Sequence, residues 1–213
     1  SQEDAVKYLN DTCSYIRGRL YVGGHSKGGN LAIYSAINCN KRVKKKIKCV
    51  YNNDGPGFDI SVIKSEEYQS MLPYIRSIVP ENSIVGMLLE HDYIIVKSSQ
   101  TGIMQHDAMS WQVSGPDMVT VRRLSAQSRR LNRAFSSWIS SVDNEKRCEF
   151  VETLFGLISS CGVKNLSDIS VDRFKSTREV IKQYANLDKD SRTLLRSMLL
   201  SLTDQIGKAR LEK

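Results

Sequence analysis

The chain has 213 residues, 40% of them apolar and 25% charged, a balance that supplies a hydrophobic core and excludes a disordered chain. Its 4 prolines and 13 glycines follow no period and gather in no low-complexity stretch, which excludes collagen-like and linker-dominated architectures. Lys and Arg number 31 against 23 Asp and Glu, a net charge of +8, so anionic partners come into question and the placement of the charge matters.

No apolar run approaches the roughly 20 residues of a membrane span, and the start SQEDAVKYLN has neither the basic end nor the apolar centre of a secretory leader. The expectation is an intracellular, cytoplasmic chain. Cys13, Cys39, Cys49, Cys148 and Cys161 are odd in number and contain no CxxC pair. They predict reduced thiols rather than a disulfide framework or a zinc site.

In chain order, Ala5, Val6, Leu9, Cys13 and Ile16 recur at helical intervals and predict an opening helix. Arg19 to Val22 read as a short strand that ends in glycines. A helix follows from Lys27 to about Cys39, packed through Leu31, Tyr34 and Ala36, and Ile47 to Asn52 read as the next strand. Between them lies the densest charge block, Lys41, Arg42, Lys44, Lys45, Lys46 and Lys48. No aromatic residue interleaves with it, which favours a solvated connection over a nucleic-acid surface. Strand, helix and strand in this order predict a parallel sheet whose ligands bind beyond the carboxyl ends of its strands.

The turn Asp54-Gly55-Pro56-Gly57 precedes a helical stretch, and short strands are then expected at Ile75 to Val79, Ile84 to Leu89 and Tyr93 to Ser98. Past a boundary near Gly115 and Pro116 the texture changes. Leu124, Leu131, Phe135, Trp138 and Val142 fall at helical spacing, Asp143 is placed to cap a helix carrying Phe150, Val151, Leu154, Phe155 and Ile158, and Leu194 to Ile206 form a third stripe. The reading divides the chain into an α/β core, residues 1–116, and a helical region, residues 117–213, that covers the sheet or forms a small bundle.

The segment Leu20 to Leu31, LYVGGHSKGGNL, places Gly-x-Ser-x-Gly between a short β run and a helix, the setting of a nucleophile elbow. A serine on so sharp a turn needs flanking residues without side chains, supplied here by Gly24 and Gly28. The Lys27 N–H at the helix start is the natural oxyanion donor. The plainer reading is a glycine turn holding an incidental serine. A phosphate loop is excluded, because no Gly-Lys-Ser/Thr closes the glycine run.

A serine hydroxyl needs a base, and only His25, His91 and His106 exist. Hydrolases with such an elbow order their triad as Ser, acid, His, which selects His106 downstream of Ser26. His25 is expected to point into the fold behind the turn. For the acid, Asp54 follows the Ile47 to Asn52 strand and so lies at the same sheet edge as the elbow. If Ile75 to Val79 runs parallel, Ile84 to Leu89 must return and Tyr93 to Ser98 rise again, which carries His106 to the active edge and leaves Asp92 at the opposite one. If Ile84 to Leu89 is the parallel strand, Asp92 gains and His106 is carried to the wrong end. The candidates rank Asp54, then Glu81, then Asp92, with turn capping as the alternative use of Asp54.

Four blocks, Gly24-His25-Ser26-Lys27-Gly28-Gly29-Asn30-Leu31-Ala32, Asn53-Asp54-Gly55-Pro56-Gly57-Phe58, Ser83-Ile84-Val85-Gly86-Met87-Leu88, and Gln105-His106-Asp107 with Ser110-Trp111, resemble the bacterial Mbeg-like family of lipase-type α/β hydrolases, whose physiological role is unknown. The resemblance runs from about Gln2 to Val113. It implies a partial α/β-hydrolase sheet with Ser26 as nucleophile, His106 as base and Asp54 as acid one strand after the elbow. Fungal-type lipases carry their acid before an Ile-Val-Pro run, and Ser83 stands at the similar position here, which favours Asp54.

Members of the family have a further sheet-forming region before the elbow, whereas this chain starts at the helix just ahead of it. The expectation is a truncated chain. Its elbow strand would offer an edge for the missing segment or another copy, and the usual second oxyanion donor would be missing, which weakens the case for activity of this chain by itself. The function expected is a serine esterase or lipase acting on a small-molecule ester or lipid, with no metal or organic cofactor implied and no nucleic-acid partner expected. The alternative is a binding or scaffold protein that retains the hydrolase framework. Phe58, Met87, Leu88 and Met104 are candidates for an acyl pocket, or simply for the core.

Overall fold

Leu20–His25 (β1) is a strand whose side chains alternate between buried Leu20 and exposed Tyr21, with His25 on the exposed alternation. In the computed structural model, which describes residues 1–87, 92–161 and 173–211, β1 is preceded by the helix Gln2–Cys13 (α1) and followed by Lys27–Asn38 (α2). The short helix Lys41–Lys44 (α3) then leads into Ile47–Asn53 (β2). β1 and β2 pair in parallel with Gly24 opposite Asn52 and His25 opposite Asn53. Two short helices, Ile60–Ile63 (α4) and Glu66–Met71 (α5), connect β2 to Ile75–Pro80 (β3), and Ile94–Val96 (β4) follows.

β3 is parallel to β2, and β4 is parallel to β3. The strand expected over Ile84 to Leu89 is not formed in its described part, where Val85–Met87 is one turn of 3-10 helix; Leu88 and Leu89 lie outside the described residues. β4 is thus parallel to β3, with no returning strand among the described residues of the connection between them. Tyr93 and Asp92 enter β4 at its amino end, so Asp92 lies at the sheet edge opposite Ser26.

Val113–Ser114 (β5) and Asp117–Met118 (β6) form a two-stranded hairpin around Gly115 and Pro116, and Thr120–Val121 (β7) joins the main sheet antiparallel to β4. The main sheet has the order β1-β2-β3-β4-β7. Mixed α/β structure with a mostly parallel central sheet is thus the architecture of the first compact unit, Ser1–Asn132.

The core of this unit lies where α2 meets β1 and β2. Ile33, Ala36 and Ile37 from α2, Leu9 from α1, Leu20, Val43, Ile47 and Val50 are buried together, with Phe58 and Tyr68 beyond. A fully buried branched side chain of this kind contributes roughly 1.5–3 kcal/mol. The basic block serves this core. Lys44 Nζ donates to the Ile37 carbonyl, and Lys46 Nζ donates to the carbonyls of Cys13, Ser14 and Ile16, which closes the end of α1.

The second compact unit is Arg133–Lys213. The helix Ala126–Ser141 (α6) starts in the first unit and ends in the second, followed by Asn144–Ser160 (α7), Arg173–Asn186 (α8) and Lys189–Leu211 (α9). Trp138, Phe150, Leu157, Leu195 and Met198 are its buried core, with the Trp138 and Phe150 rings edge to face at 5.6 Å. Asp143 caps α7 by accepting the Lys146 N–H at 2.8 Å, as its spacing predicts. Leu124, expected to start the stripe of α6, precedes that helix and is buried with Val79 and Met87 in the first unit. No helix among the described residues is long and apolar enough to cross a membrane.

Candidate active site

Ser26 stands between the last residue of β1 and the first of α2, with φ 56° and ψ −130°. It and Asp54, at φ 50°, are the only non-glycine residues with positive φ among those described. Such conformations cost of order 1–3 kcal/mol for an L-residue and persist only where the surroundings enforce them. Here the enforcement is visible. The Ser26 N–H donates to the Asn53 carbonyl at 2.9 Å, and the Asp54 N–H donates to the Ile78 carbonyl at 2.8 Å. Both residues are thereby pinned to the carboxyl ends of neighbouring strands.

The bend is tight at two glycines. A Cβ built on Gly24 would overlap the Gly28 carbonyl group, and one on Gly29 would overlap the Asn52 side chain, whereas one on Gly28 meets nothing within 4 Å. The steric requirement expected at Gly28 therefore falls at Gly29. Ser26 is half-buried and its hydroxyl does not cap α2. Lys27, as the first residue of α2, has an N–H with no acceptor inside the helix.

Asp54 is 1% exposed, and its carboxylate is fully engaged. Oδ1 accepts the Ser83 hydroxyl at 2.5 Å and the Gly86 N–H at 3.1 Å, while Oδ2 accepts Nδ1–H of His106 at 2.7 Å. A carboxylate can only accept, so the proton of a neutral His106 ring resides on Nδ1 and the lone pair on Nε2. The His106 side chain is 11% exposed. Its loop, the 3-10 segment Gly102–His106, is held by buried Gln105. Oε1 of Gln105 accepts the Asn82 N–H, its Nε2 donates to the Gln100 carbonyl, and its backbone carbonyl accepts the Trp111 indole N–H.

The structure thus brings Asp54 and His106 into direct contact at the edge where Ser26 lies, while no hydrogen bond joins Ser26 Oγ to His106 among the described residues. Glu81 is at the carboxyl end of β3, where its backbone bonds to Val96 and Ser125; Asp54, not Glu81, is the carboxylate on the imidazole. His91 lies outside the described residues. His25 departs from expectation: its side chain is exposed, Nε2–H donates to the His106 carbonyl at 2.6 Å, and the two rings stand 4.5 Å apart at 39°. The alternation along β1 was the signal, since His25 shares the face of exposed Tyr21.

Sequence reasoning also passed over the residues that support the site. Asn52 closes the Asp54 turn by donating to the Gly55 carbonyl and accepting its N–H, and buried Asn30 donates to the Gly57 carbonyl at 2.9 Å. Among the proposed acyl-pocket residues, Phe58 and Met87 are core residues, Met104 is exposed, and Leu88 lies outside the described residues. No group of three or more His, Cys, Asp or Glu among the described residues is arranged to hold a metal ion.

No curated protein and no solved structure matches the chain. A family model does, over residues 1–156, a span that contains Ser26, Asp54, Ser83 and His106. By that match the chain belongs to the Mbeg1-like family.

Proposed function

We propose that the protein is a serine hydrolase of the α/β-hydrolase type that cleaves a carboxylic ester, with Ser26 as nucleophile, His106 as base and Asp54 as the acid that orients it. The observation that carries the reading is the buried Asp54 carboxylate on Nδ1 of His106, at the strand edge that also ends in a serine with positive φ. A structural Asp–His pair does not require the serine at the end of the adjacent strand to adopt a strained turn, whereas an elbow does.

In the proposed reaction, Ser26 Oγ attacks the ester carbonyl carbon and Nε2 of His106 takes the hydroxyl proton. Asp54 stabilises the imidazolium without becoming protonated itself. The Lys27 N–H stabilises the negative carbonyl oxygen of the tetrahedral intermediate. Collapse of that intermediate breaks the ester C–O bond, and His106 returns the proton to the leaving alkoxide. Water, deprotonated in turn by His106, then releases the acid from the acyl-serine. Bonds between nucleophile and base commonly shorten only when substrate is seated, so their absence beforehand is compatible with this sequence of steps.

The test is covalent. A fluorophosphonate should add to Ser26, seen as an increase in intact mass that Ser26→Ala and His106→Ala abolish. An unchanged mass for the wild-type protein overturns the hydrolase reading in favour of a binding protein built on the same framework.

A further inference from the structure

We propose that His25 is a positioning residue for this site, tying the loop that carries His106 to the residue that precedes Ser26. The inference rests on the serine-hydrolase reading, and it concerns a side chain that the mechanism itself does not use.

Asp54 and His25 hold different parts of His106. Asp54 engages Nδ1 of the ring at 2.7 Å, and His25 engages the backbone carbonyl at 2.6 Å. A carbonyl oxygen only accepts, so Nε2 of His25 carries the proton in that bond. The His25 ring also packs against the His106 ring at 4.5 Å, which limits rotation of the imidazole about its own side-chain bonds. His106 is not on a strand. It ends a short 3-10 segment, and such a segment supplies little rigidity of its own.

The consequence follows from chain adjacency. His25 is the last residue of β1, with Asn53 of β2 opposite it, and Ser26 is the next residue. A bond from His25 to His106 therefore links base and nucleophile through one rigid strand end, with Asp54 supplying the second link across β2. Gln105 anchors the body of the loop, Asp54 holds the His106 ring, and the His25 bond fixes the loop's last residue, His106 itself, in distance and orientation relative to Ser26. Positioning of this kind acts on the chemical step rather than on substrate binding.

The experiment compares wild type with His25→Ala, His25→Phe and His25→Gln in the same intact chain. Gln restores an N–H donor, and Phe keeps the ring without one. The expected result is roughly five- to tenfold slower fluorophosphonate labelling of Ser26 in the Ala and Phe variants, the factor carried by one net hydrogen bond. The Gln variant should recover most of the rate, and in turnover of a p-nitrophenyl ester the loss should fall on kcat with KM unchanged. Independently of activity, the downfield Nδ1–H proton resonance of His106 should broaden or move in His25→Ala and return in His25→Gln.

Labelling of His25→Ala at the wild-type rate, with the resonance unchanged, overturns the positioning role and leaves the hydrolase reading standing. If wild type itself is not labelled, the hydrolase reading fails, and the resonance decides the contact: unchanged in His25→Ala, it overturns the brace as well, and displaced, it supports a brace on a non-catalytic pair.

Discussion

Asp54 Oδ2 and His106 Nδ1 meet at 2.7 Å although 52 residues separate them in the chain. Each reaches the contact by a different device. Asp54 is set by the end of β2 and a positive φ that aspartate tolerates better than most residues. His106 is delivered by a loop anchored through Gln105 and Trp111. Asp54→Asn keeps the shape and the tolerance for positive φ but presents an amide in place of a charge. Under the proposed mechanism labelling of Ser26 should fall roughly 10³- to 10⁴-fold, the loss that accompanies removal of the acid from a Ser-His-Asp triad. A labelling rate within a fewfold of wild type would show that Asp54 serves only its turn.

Ser83 donates to the other oxygen of Asp54 from a position that is 2% exposed, and its own carbonyl accepts the Ser128 hydroxyl at 2.6 Å. Ser83→Ala removes a hydrogen bond to a buried charge and leaves the Gly86 N–H as the sole donor to Oδ1. The expected cost is about 1.5–3 kcal/mol of stability, read as a lower urea midpoint, together with roughly tenfold slower labelling of Ser26. A midpoint equal to wild type would remove Ser83 from the description of the site.

The two glycines of the elbow motif should separate cleanly. Gly24→Ala sets a Cβ into the Gly28 carbonyl, a backbone contact that cannot rotate away, and the variant should be recovered unfolded or strongly destabilised. Gly28→Ala adds a Cβ in open space inside α2, where alanine is the better helix former, and should raise stability by about 0.5–1 kcal/mol. Thermal unfolding of the two variants against wild type decides the matter. Destabilisation by Gly28→Ala comparable with that of Gly24→Ala contradicts the steric account.

The contrast shows what is legible in the sequence. Gly-x-Ser-x-Gly marks the sharp turn between β1 and α2, and the place of Asp54 at the end of β2 marks its edge of the sheet, because strand direction propagates from one parallel neighbour to the next. The fate of Ile84 to Met87 is not legible in that way. Its apolar residues read as a strand, but the Gly86 N–H is turned to Asp54 and the Ser83 N–H to the Pro80 carbonyl. Tertiary bonding to a buried carboxylate thus claims donors that a strand ladder would have used. Gln105 and Asn52 are hidden for a related reason: their partners are backbone groups of turns whose shape exists only after folding.

Cysteine reactivity offers a test of the core that is independent of catalysis. Cys39 is buried at the end of α2, where its Sγ–H donates to the Ala36 carbonyl, and burial pushes its thiol above the ordinary value despite the opposing charge of Lys44. Cys148 is exposed on α7. At neutral pH iodoacetamide should modify Cys148 readily and Cys39 only on unfolding, since a buried thiol with a raised pKa presents little thiolate and little access. Equal rates at the two positions under native conditions would contradict the packing of α2 on β1 and β2.

The helices of the second unit carry their own pH dependence. The Lys146 backbone N–H, foremost, holds the Asp143 carboxyl below the usual carboxylate range, and the Ser191 hydroxyl followed by the Ser191 N–H does the same for Asp188. A carboxyl whose pKa is lower folded than unfolded stabilises the fold above its unfolded value, about pH 4, and loses that contribution as pH falls through the folded value. Both side chains are exposed, so solvent and salt screen their charges and each effect is modest. Asp143→Asn keeps an acceptor for the Lys146 N–H but no longer titrates. It should therefore flatten the acid limb of helix stability, followed by far-ultraviolet circular dichroism between about pH 3 and 7, while Asp143→Ala should lower stability at neutral pH by removing the cap. An acid limb in Asp143→Asn as steep as that of wild type would show that the carboxylate caps α7 without its charge contributing.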